Sequence, residues 1–276
     1  MASIPPFLLN AVIDDEEGEV DIMALVHGIE VLEKQINAIT CPDTGKQLEF
    51  RHLIKDPITK KIWNPAMSTE VDRLVETKTI RFTKKRSIPR GEKAVYTRLV
   101  VDLRPNKAVH ERLRMCMGGD QMTSVMDTTT RTADLTTCKL HMNSVVSTPG
   151  AEFAAGDVKD FYLNTPLKKK RYGKVQAKYI PAETIKKHQL AELIDEDGWL
   201  YFEIGMGMYE IPEAGRLAND LLRERLKKFG YYECTHTPGF WKHIYKPISW
   251  TLIVDDFGFK YTNKQHIEEF LKIMSK

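Results

Sequence analysis

Cysteine is scarce in this chain of 276 residues: Cys41, Cys116, Cys138 and Cys234 are scattered, and no Cys-x-x-Cys spacing occurs. That pattern argues against a zinc site and against a disulfide framework, and it fits a reducing intracellular location. No run of eighteen apolar residues is present, so no transmembrane helix is expected. The opening Met1-Ala2-Ser3-Ile4-Pro5-Pro6 is apolar but has neither a basic leader nor a small-residue cleavage site, and is not read as a signal peptide. Net charge is also slight, 41 basic against 38 acidic residues for +3. The total therefore marks no partner, and composition implies only a globular chain large enough to bury a substantial core.

Charge is unevenly distributed, however. Asp14, Asp15, Glu16, Glu17, Glu19 and Asp21 form an acidic run without a basic residue. Residues 78–114 instead hold twelve lysines and arginines, among them Lys93, Arg98 and Arg104, against Glu92, Asp102 and Glu111. Such a stretch suits a polyanion, although a plain solvated face has the same composition.

The most informative stretch is Trp250-Thr251-Leu252-Ile253-Val254-Asp255-Asp256-Phe257-Gly258-Phe259. A β-branched and apolar run enters two aspartates and an aromatic run leaves them, which predicts two strands joined at an acidic turn. Aspartate is an ordinary turn residue, so a solvated hairpin corner is the plain alternative. A carboxylate pair on an apolar hairpin repels itself unless a cation is near, and hard divalent cations such as Mg²⁺ favour oxygen ligands. A third acid, Asp157, ends another short apolar run, Phe153-Ala154-Ala155-Gly156.

Helical periodicity marks five further segments. Ile22, Leu25, Val26, Ile29, Leu32 and Ile36 predict an amphipathic helix in a leader over residues 1–40. Met67, Val71, Leu74 and Val75 predict a second; Leu135, Cys138, Met142 and Val145, capped by Thr132, a third. Pro212 and Gly230 bracket a fourth, with Leu217, Leu221, Leu222, Leu226 and Phe229 inward. Ile267, Phe270, Leu271 and Met274 continue the pattern after the hairpin. Ile80-Arg81-Phe82 and Val95–Val101 are expected to pair as a basic β-hairpin, and residues 171–178 and 181 onward are read as a variable insert followed by a helix.

Six pieces, in order, carry a family resemblance: Arg98-Leu99-Val100-Val101-Asp102, Gly118-Gly119-Asp120, Thr132-Ala133-Asp134-Leu135-Thr136-Thr137, Asp157-Val158-Lys159-Asp160-Phe161-Tyr162-Leu163, Gly207-Met208-Tyr209 and Val254-Asp255-Asp256. Together they resemble the reverse transcriptase of a copia-type long-terminal-repeat retrotransposon. The resemblance implies an α+β polymerase palm and fingers, with an antiparallel sheet packed on helices. Residues 41–131 would be the fingers region and 132–276 the palm, with no thumb or ribonuclease H domain following.

The same resemblance implies the roles of residues. Asp157, Asp255 and Asp256 would be catalytic and hold two Mg²⁺, or Mn²⁺; Arg98 and Lys93 would bind nucleotide phosphates. Tyr162, five residues after Asp157, would exclude a ribose 2′-hydroxyl. Glu213 stands where the family carries glutamine, in Glu210-Ile211-Pro212-Glu213 for a usual glycine-leucine-proline-glutamine. Implied partners are an RNA or DNA template with primer, deoxynucleoside triphosphates, and polyprotein segments supplying thumb and ribonuclease H, with no membrane. The implied setting is the cytoplasm or a virus-like particle, with the nucleus as an alternative.

Two other readings compete. A truncated retroelement remnant would keep the fold and nucleic-acid binding without synthesis, as the glutamate at 213 suggests. An unrelated two-carboxylate Mg²⁺ enzyme, such as a nucleotide cyclase, would carry a glycine-rich purine-binding turn near the hairpin, and none is found.

Overall fold

The computed structural model describes residues 39, 45, 48–104, 108–124 and 126–274. The expected leader helix over residues 22–36 lies outside them. The chain divides into two compact units. Within the described residues one comprises 48–118 and 171–203, the other 119–170 and 204–274. The expected boundary at 131/132 thus differs from the observed division, because residues 171–203 return to the first unit.

In the first unit the helix Pro57–Glu76 starts earlier than its apolar stripe suggests. Asp56 accepts hydrogen bonds from the Ile58 and Thr59 amides, and Pro57 occupies the first turn, where its missing N–H costs nothing. Trp63, Met67, Val71 and Leu74 are buried, together with Glu70, which accepts from the Met115 amide and pairs with Arg73. Five strands form a sheet ordered β1-β6-β5-β2-β3: β1 Ile80–Thr83, β2 Ala94–Leu103, β3 Glu111–Met117, β5 Pro166–Gln176 and β6 Trp199–Met206. β2 pairs antiparallel with β3 and parallel with β5, while β1 lies at the edge beside β6. The expected hairpin of 80–82 with 95–101 is therefore corrected. Asp102 and Arg112 sit directly opposite and form a two-pronged ion pair, one of the contacts that set β3 as the partner of β2. Residues 171–176 of the variable insert are strand, and Tyr172 and Val175, on opposite faces of it, are both buried.

The second unit is built on a wholly antiparallel sheet ordered β4-β10-β9-β8-β7, with β4 Glu152–Asp157, β7 Tyr231–Glu233, β8 Phe240–His243, β9 Ile248–Ile253 and β10 Asp256–Tyr261. Alternation along the strands separates two faces. Trp241, Trp250, Leu252, Phe257 and Phe259 point to one, where Leu222 and Leu226 of helix Ala214–Lys227 and Ile267, Phe270 and Met274 of helix Lys264–Met274 join the core. Trp241 and Trp250 stack with ring centres 5.6 Å apart, and Phe270 lies 4.9 Å from both Trp250 and Phe259. Large rings of this kind each bury on the order of 150–250 Å².

On the other face lies helix Leu135–Val146, capped by Asp134, which accepts from the Thr137 amide at 2.6 Å, and not by Thr132 as expected. Its inward residue is His141, bonded to Ser249 and edge-on to Phe240, while Leu135 is 67% exposed and does not belong to the predicted stripe. Lys260 reaches from β10 to the Ser144 carbonyl and the Thr148 hydroxyl at the end of this helix. Cys138, Met142 and Val145 of the predicted stripe are half-buried, and polar contacts accompany them in this layer. Phe229 was likewise expected inward, but it follows the helix Ala214–Lys227 and is 44% exposed.

Candidate functional site

The acidic hairpin forms, with its turn shifted by one residue. Ile253 and Asp256 are paired, so Val254 and Asp255 make the two-residue turn and Asp256 begins β10. Val254 has φ +60°, a left-handed conformation that two-residue hairpins normally assign to glycine. For a β-branched residue this is a strained state. Asp160 and Glu210, with φ of 56° and 65°, are the other left-handed non-glycine residues of this unit. Strain of this kind costs on the order of 1–3 kcal/mol per residue and tends to gather at functional sites.

Register brings the third acid in. β4 pairs with β10 so that Asp157 is directly opposite Asp256. Opposed residues of an antiparallel pair project from the same face, with Cβ atoms roughly 4.5–5.5 Å apart. Gly156 and Phe257, next along the ladder, project to the Trp250 face, which leaves the two carboxylates on the face of helix Leu135–Val146. The Asp256 carboxyl is raised above the usual aspartate range, first by partial desolvation and then by the charges of Asp255 and Asp157. Asp255 is thus close enough for its charge to be felt, and the backbone ties the corner down: the Val158 amide donates to the Asp255 carbonyl at 3.3 Å.

Tyr162 belongs to the same neighbourhood. Its phenol is half-buried and pushed up to about 12, by desolvation first and then by Asp255 and Tyr209. A glycine allows the approach: a Cβ on Gly207 would stand 2.5 Å from the Tyr162 carbonyl oxygen, while Gly215 lies in ordinary contact range of the Tyr162 ring. Gly119 similarly admits the Glu210 carbonyl, which a Cβ would meet at 2.1 Å. Four segments far apart in sequence, around residues 119, 157–162, 207–215 and 254–256, therefore meet at this corner.

Two of the remaining expected site residues belong to the other unit. Arg98 lies exposed on β2 and Lys93 just before it, both in the first unit. Glu213 is 5% exposed at the position before helix Ala214–Lys227, where its side chain makes no capping bond. Tyr209 was not singled out for this corner by sequence. Only its position in the Gly207-Met208-Tyr209 piece drew attention to it.

No protein-family model matches the chain, and no curated protein matches it. The site must be judged on its own chemistry. Among the described residues no three His, Cys, Asp or Glu side chains converge into a ready metal cage. The donor chemistry nevertheless suits a hard divalent cation, since all three groups are carboxylates and a cation would offset the charges of Asp255 and Asp157 that add to desolvation in raising Asp256. No described helix is long and apolar enough to cross a membrane.

Proposed function

We propose that the chain carries the RNA-directed DNA polymerase domain of a copia-type retrotransposon polyprotein, extending a primer by two-metal nucleotidyl transfer. The observation that carries this reading is the meeting of Asp157 with Asp255 and Asp256 at one end of an antiparallel sheet. A second supports it: position 210, where the resembled family carries glycine, adopts φ +65° here, the conformation that glycine favours.

In this reading Asp157, Asp255 and Asp256 would hold two Mg²⁺, or Mn²⁺. The ions would supply an acidified primer 3′-hydroxyl and charge stabilisation of the leaving pyrophosphate. Tyr162 keeps its proton at any physiological pH and offers bulk beside Asp255 against a ribose 2′-hydroxyl. Arg98, with Lys93, would bind the triphosphate through its planar, permanently charged guanidinium. Template, primer and deoxynucleoside triphosphates are the partners, with other polyprotein segments supplying further domains, in the cytoplasm, a virus-like particle or the nucleus.

A second reading, a folded remnant without synthesis, is favoured by the burial of Glu213, an acid in place of the family's glutamine. Primer extension on an RNA template with deoxynucleotides and Mg²⁺ or Mn²⁺ separates the two. Extension by the wild type that is lost in Asp255→Asn supports the polymerase; no extension from folded protein supports the remnant.

A further inference from the structure

The end of the β9 strand opposite the acids carries an unusual surface. β9 is six residues long, so its start lies about 20 Å from the acidic turn. Before it, Ile244 and Tyr245 are 58% and 89% exposed, and Phe229 is exposed beside them. His243 joins these segments. Its Nε2–H donates to the Phe229 carbonyl at 3.0 Å, and its Nδ1 accepts from the amides of Tyr245 and Lys246. The Ile244 amide donates to Gly230 at 3.0 Å. The turn that displays Tyr245 is therefore held by four hydrogen bonds, and the ring is presented on an ordered backbone.

Charge around this turn is mainly basic: residues 223–246 contain Arg223, Arg225, Lys227, Lys228, Lys242 and Lys246 against Glu224 and Glu233. Glu233 is itself buried between Arg223 and Arg131, at 2.7 and 3.2 Å, and Lys246 is paired with Glu269. Lys227, Lys228 and Lys242 remain exposed at the surface. Exposed aromatic rings on an ordered turn, set among lysines, match the two requirements of single-stranded nucleic acid: a flat face for a base and cations for the phosphates.

We propose that the surface formed by Phe229, Ile244 and Tyr245 with Lys227 and Lys228 binds single-stranded nucleic acid, as a second contact separate from the acidic corner. Charge complementarity favours a polyanion over a protein partner, and stacking on Tyr245 makes the contact tolerant of sequence.

The test is fluorescence anisotropy of a fluorescein-labelled oligodeoxythymidylate titrated with the full chain over a range of salt. Tyr245→Ala should weaken binding roughly five- to a hundredfold, the range for loss of one stacked base. Lys227→Ala with Lys228→Ala should lower the slope of log affinity against log salt by about 1.4, two phosphates at ~0.7 each. Both changes are at exposed positions, and circular dichroism checks that the fold is kept. Absence of oligonucleotide binding by the wild type, or wild-type affinity and slope in both variants, overturns the proposal. Primer extension reads the acidic corner and anisotropy of the Tyr245 and Lys227/Lys228 variants reads this surface, so failure of the polymerase reading and failure of the platform are read separately.

Discussion

Asp157 and Asp256 face each other directly across the β4–β10 ladder, two carboxylates on one face of one sheet. Like charges so placed destabilise a sheet, by roughly 0.2–1 kcal/mol. Asp256 is the member whose carboxyl is raised, so the folded state binds its proton more tightly than the unfolded chain does. Its penalty is absent below the ordinary aspartate range, grows as pH rises toward the folded value, and is fully present at neutral pH. Asp256→Asn should raise the neutral-pH melting temperature, and the gain should vanish at acid pH. An equal gain at both would remove charge repulsion as the cause.

Glu210 holds a left-handed backbone with its carbonyl packed against Gly119. Glu210→Gly should stabilise the protein by about 1 kcal/mol, because glycine occupies this region without the Cβ clash. Denaturant titration reads the difference. Gly119→Ala should act in the opposite sense, since its Cβ would meet the Glu210 oxygen at 2.1 Å.

His141 is buried against Ser249 and Phe240 and is pushed down to about 4 by desolvation and by Lys260. Here the unfolded chain binds the proton more tightly, so stability falls as pH drops from about 6.5 toward 4. The loss is on the order of 3 kcal/mol across that window. Melting curves at stepped pH should show this slope in the wild type and a flatter one in His141→Gln.

Glu233 is buried among Arg131, Arg223 and the Gly239 amide. Glu233→Ala leaves two partly buried guanidinium groups and one amide without their shared acceptor, and should cost about 3 kcal/mol. Loss of less than half of that in chemical denaturation would show that solvent replaces the carboxylate.

Much of this protein was determined by local sequence. β-branched and aromatic runs flanking Asp255-Asp256 specify a hairpin, and the three- and four-residue spacing of Leu222 with Leu226 and of Ile267, Phe270 and Met274 specifies helices that cover it. Each rests on interactions within a few residues, where composition and periodicity are sufficient. Tertiary structure alone decided the rest. That β2 takes β3 and β5 as neighbours while β1 sits beside β6 is a choice among long-range pairings with the same local pattern. That Val254 bears the strain of the turn, and that Asp157 stands opposite Asp256, are consequences of register, and a slip of one residue would send every side chain of the strand to the other face. The inward role of His141 and the exposure of Leu135 follow from polar partners, Ser249 and Lys260, that come from distant strands. Hydrophobic periodicity does not register such partners, because they act through hydrogen bonds and charge between residues that only the folded sheet brings together.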